Sequence, residues 1–163
     1  MTAKTLSYLK WGFVLLFFHI SIGRWDLLPD FLGIILILVG IRSQKMTETE
    51  VRIQPLLVVL AIDNFFHWFL IFDHELEELL ITIISTYAIY ILLGEIAGRI
   101  RESQASLSSR LHHIRIAYAS LQVLSYLFGA YDNEVLVMLL AAGFIILLVV
   151  LLAALFRIKP MEE

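Results

Sequence analysis

Two ionisable side chains inside an apolar segment are the residues of this sequence best placed to do chemistry. Asp63 lies near the middle of the segment that follows Pro55, and His67 comes four residues later, with Asn64 beside them. On a helix, residues four apart share one face. An aspartate at the centre of a membrane costs about 2.5 to 3.5 kcal/mol on insertion scales, so such residues face a partner or a cavity. The two side chains either satisfy each other or serve a proton relay or a ligand.

Two further polar residues are predicted to reach the same half of the membrane. His19 lies near the end of the first apolar run, and Asp30 lies just inside the second. Together with Asp63 and His67 they offer two imidazoles and two carboxylates, a ligand set suited to Zn²⁺ or Mn²⁺. The same groups suit a proton relay or a cationic substrate. No H-E-x-x-H motif occurs, so neither a metal cofactor nor an enzymatic activity is decided by the spacing.

The composition identifies lipid as the solvent of the whole chain. Its 163 residues are 60% hydrophobic and only 17% charged, and the mean hydropathy is +0.87. Soluble domains are nearer 45 to 50% apolar. A chain of this length has no room for a kinase, an ATPase or a Rossmann module beside several membrane spans. Because cysteine is absent, disulfides, iron–sulfur clusters and thiolate zinc sites are excluded as well.

Long apolar runs bounded by charges predict six membrane spans in a single transmembrane domain, residues 1–163. They cover about 8–23, 27–41, 56–72, 79–97, 114–131 and 135–156. Of the 12 Lys and Arg residues, all but Arg24 fall on one side of these spans. The positive-inside rule then places both termini in the cytoplasm. The fold class is therefore an all-α polytopic membrane bundle, although the short first two runs could instead form a re-entrant hairpin.

Polar residues also recur along one face of the fifth span. Tyr118, Gln122 and Tyr126 follow one another at four-residue spacing. They either hydrogen-bond between helices, each for about 1 kcal/mol or less, or line a cavity that ligand or water can enter.

The fourth span ends in a small-residue motif and a charge pair. Gly94 and Gly98 form a G-x-x-x-G motif, which can pack two helices closely within the chain or between copies. Glu95 and Arg99 have the favourable Glu-before-Arg order at four-residue spacing and predict an ion pair on the helix surface.

The connection between the first two runs carries a recognisable motif. It reads Trp25-Asp26-Leu27-Leu28-Pro29-Asp30-Phe31-Leu32-Gly33. The motif resembles the D-x-L-P-D-x-x-G amino-terminal hairpin of uncharacterised small multi-pass membrane proteins of Gram-positive bacteria. That resemblance implies a bacterial plasma membrane and no particular activity. Independently of it, Gly33 permits close helix packing, and Asp26 and Asp30 suit a helix N-terminus.

Three functions are consistent with this pattern. The first is a small-molecule or ion-handling module, a transporter or a substrate-binding subunit; its size and topology are analogous to those of vitamin-uptake components. The second is an intramembrane metal-dependent hydrolase at the outer leaflet, which would use His19, Asp30, Asp63 and His67. The third is a noncatalytic regulator or accessory subunit. The expected partners are the lipid bilayer and a membrane protein or a second copy, and not nucleic acid.

Overall fold

The residues that the structure describes form six helices, in agreement with the all-α fold class. A computed structural model describes residues 1–17, 21–22, 25–26, 30–69, 75–129 and 134–160. Its helices are α1 (Ala3–Phe17), α2 (Asp30–Arg42), α3 (Glu48–Phe69), α4 (Glu75–Ile100), α5 (Ala105–Gly129) and α6 (Glu134–Arg157). Between α1 and α2, strands β1 (Ser21–Ile22) and β2 (Trp25–Asp26) pair antiparallel. Hydropathy does not reveal elements of two residues, so this hairpin was not predicted.

Two helices begin earlier than their apolar runs, because polar residues supply the first turns. Thr47 and Glu50 form a capping box: the Glu50 N–H donates to Thr47 Oγ1 at 3.1 Å, and the Thr47 N–H donates to Glu50 Oε2 at 2.8 Å. Helix α3 therefore starts eight residues before the predicted span and includes Pro55. The serine-rich run 103–109 lies mostly inside α5, which starts nine residues before the predicted fifth span.

The helices form a ring in chain order. Each packs against the next one along the chain, and α6 closes the ring against α1. Neighbouring helices run antiparallel: Thr5 near the start of α1 bonds Ser43 just after α2, with 2.7 Å between the hydroxyl oxygens. We call the end of the ring where α1 begins and α6 ends the proximal end, and the opposite one the distal end.

The closure between α6 and α1 rests on polar contacts at the proximal end. Lys10 Nζ donates to the carbonyl oxygens of Phe156 and Ile158 at 3.4 and 3.3 Å. A cation here also complements the dipole at the C-terminus of α6. The Gln104 side chain, in the turn after α4, bonds both the N–H and the carbonyl of Lys159. The middle of α1 and the α4–α5 turn are thereby both held to the residues at and just after the end of α6.

Close packing is concentrated toward the proximal end. Each helix contributes a side chain at most 3% exposed to this part of the core: Leu9, Ile37, Leu57, Leu93, Leu111 and Leu155. Toward the distal end large apolar side chains are exposed instead, among them Leu80, Val123, Leu127 and Met138. Water disfavours an apolar surface of this extent, whereas lipid tails cover it without cost.

Two glycines bring α1 and α2 into backbone contact. A Cβ atom added at Gly33 would lie 2.7 Å from the carbonyl oxygen of Gly12, and one added at Gly12 would lie 2.8 Å from that of Gly33. No side chain fits at such distances. The close packing predicted for Gly33 is therefore present, and its partner is Gly12.

Within the described residues, two helices are long and apolar enough to cross a membrane, 79–100 within α4 and all of α6. Helix α6 has 24 residues and spans about 36 Å at 1.5 Å per residue. Very little of it is buried inside the protein. A soluble protein buries its most apolar helix, so the exposure of α6 favours a lipid environment over a soluble core.

Candidate functional site

The distal polar pair predicted on α3 is present. Asp63 Oδ2 lies 3.5 Å from His67 Nδ1, which is also 3.2 Å from the Asp63 carbonyl oxygen. The Asp63 side chain is 14% exposed and that of His67 is 36% exposed. Asn64 turns back on its own helix, where its Nδ2 donates to the Leu60 carbonyl at 2.8 Å. Asp63 and His67 thus contact each other at the distal end, while the Asn64 side chain bonds a backbone carbonyl of its own helix.

The wider metal-ligand set is not assembled among the residues that the structure describes. Phe31 packs edge-on against Phe65 with 5.3 Å between ring centroids, which brings the start of α2, where Asp30 lies, to the distal part of α3. His19 is outside the described residues. Across the described part of the chain, no three His, Cys, Asp or Glu side chains group closely enough to hold a metal ion. The four-residue metal site therefore remains a prediction.

The fifth-span tyrosine and glutamine line a cavity between α1, α5 and α6. Its volume is about 340 Å³. The lining residues are Phe17, Ile114, Tyr118, Gln122, Phe144, Ile145, Leu147, Leu148 and Leu151. Ile145 is exposed, so the cavity reaches the outer surface of the ring. In a membrane that surface faces lipid, and an apolar molecule could enter from there.

Tyr118 is the polar centre of this cavity. Its ring lies between Phe17 and Phe144, with 6.3 Å between centroids in both edge-on contacts. Gln122 Nε2 donates to the Tyr118 hydroxyl at 3.2 Å, and the Ser85 side chain of α4 also lies within hydrogen-bonding reach of that hydroxyl. The hydroxyl and the amide form one polar corner in an otherwise apolar space. Both groups line the cavity, while the hydroxyl also reaches Ser85 of the neighbouring helix α4, so Tyr118 combines two roles that the sequence had presented as alternatives.

Tyr126 does not belong to this cavity. Its side chain is 56% exposed. At 3.6 residues per turn, eight residues advance a side chain by about 80° around the helix axis. Tyr126 is therefore rotated away from the face that carries Tyr118, and the predicted polar stripe is shorter than its spacing indicated.

A buried ion pair joins α3 to α4 at the proximal end. Glu50 is 2% exposed. Arg99 Nε lies 2.9 Å from Glu50 Oε1, and Arg99 Nη2 donates to Glu50 Oε2 and to the Lys45 carbonyl. Such a two-point contact is the strongest geometry available to an arginine and a carboxylate. It fixes the start of α3 against the end of α4.

The predicted ion pair between Glu95 and Arg99 was wrong. The Glu95 carboxylate accepts a hydrogen bond from the Thr47 hydroxyl at 2.8 Å. Arg99 is occupied by Glu50, whose position the capping box determines. Four-residue spacing permits a pair on an isolated helix, but a buried carboxylate with no competing solvent binds the guanidinium more strongly. The T-x-x-E pattern at Thr47 was the sequence signal that could have revealed Glu50.

Within the described residues, the G-x-x-x-G motif does not bring the backbones of two helices into close contact. A Cβ atom at Gly94 would collide with the Arg115 guanidinium, which also stacks on the Tyr90 ring at 4.6 Å from its centroid. A Cβ atom at Gly98 would meet nothing within 4 Å. Gly94 makes room for the Arg115 side chain, a role that sequence reasoning missed. Packing between copies through Gly98 stays a prediction.

Comparison with protein-family models, curated proteins and solved structures finds no match for this chain. The resemblance of the hairpin motif to small bacterial membrane proteins consequently rests on the motif alone. Function has to be argued from the geometry. Two arrangements can do chemistry: the Asp63–His67 pair, which can exchange a proton, and the Tyr118 cavity, which can hold a ligand.

Proposed function

We propose that this protein is a six-span module of the bacterial plasma membrane that binds a small, largely apolar molecule, as a transporter or as the substrate-binding subunit of one. The observation that carries this proposal is the cavity of about 340 Å³ around Tyr118. Ligand sites in proteins have volumes from about 300 to 1,000 Å³, mostly apolar walls and few polar groups. The cavity has that size, and the Tyr118–Gln122 pair supplies the polar groups.

The ligand class follows from the lining. Aromatic and aliphatic side chains from three helices form most of the walls, and among the described residues no charged side chain contributes to them. A charged or strongly polar molecule would lose its hydration there without a compensating partner. A neutral molecule with one hydrogen-bonding group would match the Tyr118 and Gln122 side chains. The Asp63–His67 pair lies nearer the distal end and is a candidate proton relay for transport.

Native mass spectrometry from mild detergent tests the cavity. The wild-type protein should retain a small molecule, and Leu147→Trp, which fills the cavity, should lose most of it. Val149→Trp is the matched control, because Val149 lies two residues along on the exposed face of α6. Retention of the same mass by Leu147→Trp would contradict the proposal, and so would a retained phospholipid in place of a small molecule.

The six-span topology with both termini in the cytoplasm is tested separately. The chain has no cysteine, so single cysteines report their own exposure. Glu102 at the proximal end and Glu134 at the distal end are both exposed. In intact cells a membrane-impermeant maleimide should label Glu134→Cys only, and both variants should react after permeabilisation. Labelling of Glu102→Cys in intact cells would overturn the orientation.

A second candidate is a noncatalytic accessory subunit, favoured by the long exposed apolar face of α6. In the same native spectra, a second protein at fixed stoichiometry with no retained small molecule would select this candidate. The hydrolase alternative needs a metal held by more than Asp63 and His67, and no such group occurs among the described residues. The ligand-binding proposal uses contacts that are present.

A further inference from the structure

A second cavity lies between α5 and α6 at the proximal end, and the Tyr118 site does not account for it. Its volume is about 460 Å³. Arg110 and His113 of α5 and Arg157 of α6 line it together with an apolar floor of Ile114, Val150, Ala153 and Ala154. We call this cavity the basic groove. Basic side chains form its walls and apolar side chains form its floor. The contacts between helices described above do not involve the basic side chains of this groove.

The charge of the groove is uncompensated within the part of the chain that the structure describes. None of the described residues that line the groove is a carboxylate. Neither Arg110 nor Arg157 forms an ion pair or a side-chain hydrogen bond with a described residue, in contrast to Arg99 and Arg52. The His113 ring is oriented by a 2.8 Å contact between its Nδ1 and the Ser109 carbonyl oxygen. Two guanidinium groups are thus available to an external anion.

The floor of the groove offers space for the apolar part of a ligand. Ala153 and Ala154 are small residues in the last turns of α6. Here they leave space beside Arg157, and Val150 continues that space by one helical turn along α6. Helix α6 is long and apolar enough to cross a membrane, and the groove lies at its C-terminal end. A ligand would therefore place its anion at the membrane interface and its apolar part against α6.

We propose that the basic groove binds one anionic glycerophospholipid, with the phosphate between Arg110 and Arg157 and an acyl chain on Val150 and Ala153. Guanidinium groups bind phosphate through paired, charge-assisted hydrogen bonds. Basic pockets between membrane helices near the cytoplasmic surface are suited to anionic headgroups. The proposal requires α6 to cross the membrane and does not depend on the ligand of the Tyr118 cavity.

The test is a lipid titration followed by native mass spectrometry, with phosphatidylglycerol and phosphatidylcholine as probes. The wild-type protein should bind one phosphatidylglycerol in preference to phosphatidylcholine. In Arg110→Gln/Arg157→Gln the affinity for phosphatidylglycerol should fall at least about tenfold, since both guanidinium groups that bind the phosphate through charge-assisted hydrogen bonds are removed. Phosphatidylcholine binding should not change.

The matched control is Lys4→Gln/Arg101→Gln, which removes the same charge from exposed positions at the same end of the ring. It should bind phosphatidylglycerol as the wild type does. If both double variants lost the same affinity for phosphatidylglycerol, the lipid would be attracted by net charge alone, and this would overturn the site. Unchanged binding by Arg110→Gln/Arg157→Gln would overturn it as well.

A third variant separates a lipid from a free phosphate. Ala153→Trp fills the floor and keeps every charge, so it should weaken phosphatidylglycerol binding by a similar factor. Inorganic phosphate added in excess should not displace the lipid from the wild-type protein. Displacement by phosphate, together with normal lipid binding by Ala153→Trp, would identify a site for the phosphate group alone and contradict the proposal.

Discussion

Replacing Glu50 by Gln should lower the free energy of unfolding by about 3 kcal/mol, one of the two largest effects expected in this protein. The substitution leaves the Arg99 guanidinium in a mostly buried position without its charged partner. Breaking a buried ion pair from one side costs about 3 to 5 kcal/mol, because the remaining charge stays desolvated. Arg99 is 21% exposed, which favours the lower end of that range.

Unfolding in mixed detergent micelles, followed by circular dichroism, measures this effect. The control is Glu48→Gln, two residues earlier, which removes an i,i+4 pair with Arg52 whose side chains are 87% and 77% exposed. An exposed pair contributes about 1 kcal/mol or less. The double variant Glu50→Gln/Arg99→Gln should lose less than the sum of the two single variants. Equal effects of Glu50→Gln and Glu48→Gln would contradict the role assigned to the buried pair.

Gly33→Leu should be comparably severe, for a reason of space and not of charge. A Cβ atom at this position lies 2.7 Å from both the Gly12 carbonyl oxygen and the Leu16 backbone nitrogen. These are backbone atoms, so relief requires α1 and α2 to separate. Overpacking typically costs about 1 to 3 kcal/mol, and a backbone collision places this variant at or above the upper limit. The same micelle unfolding assay applies.

Gly98→Leu is the matched control, since it is also a glycine inside a helix but has no atom within 4 Å of the added Cβ. Replacing a helix-interior glycine favours the helix by roughly 0.5 to 1 kcal/mol, so the variant should be neutral or more stable. If Gly98→Leu destabilised the protein as much as Gly33→Leu, this would contradict the conclusion that packing is tighter at Gly33 than at Gly98. A change in oligomeric state on Gly98→Leu would support packing between copies.

Several features were readable from residue types and local spacing. The all-α class and the six helices of the described residues follow from the alternation of apolar runs and charged connections, because a long apolar run bounded by charges predicts one helix. The contact between Asp63 and His67 follows from four-residue spacing, which holds in any helix. Helix α6 could be predicted because nearly all its residues are apolar, and apolar side chains require no particular polar partner on another helix.

The partners across helices depended on the tertiary structure. The i+4 rule selected Glu95 for Arg99, while the packed ring selects Glu50 from another helix. Likewise the sequence placed Tyr118 and Tyr126 on one face, but the rotation of α5 against α1 and α6 puts only Tyr118 in the cavity. Spacing along one helix is a local property, whereas contacts between helices depend on the rotation and distance of two axes. Those quantities are set by all side chains in the interface together, the glycines of α1 and α2 among them.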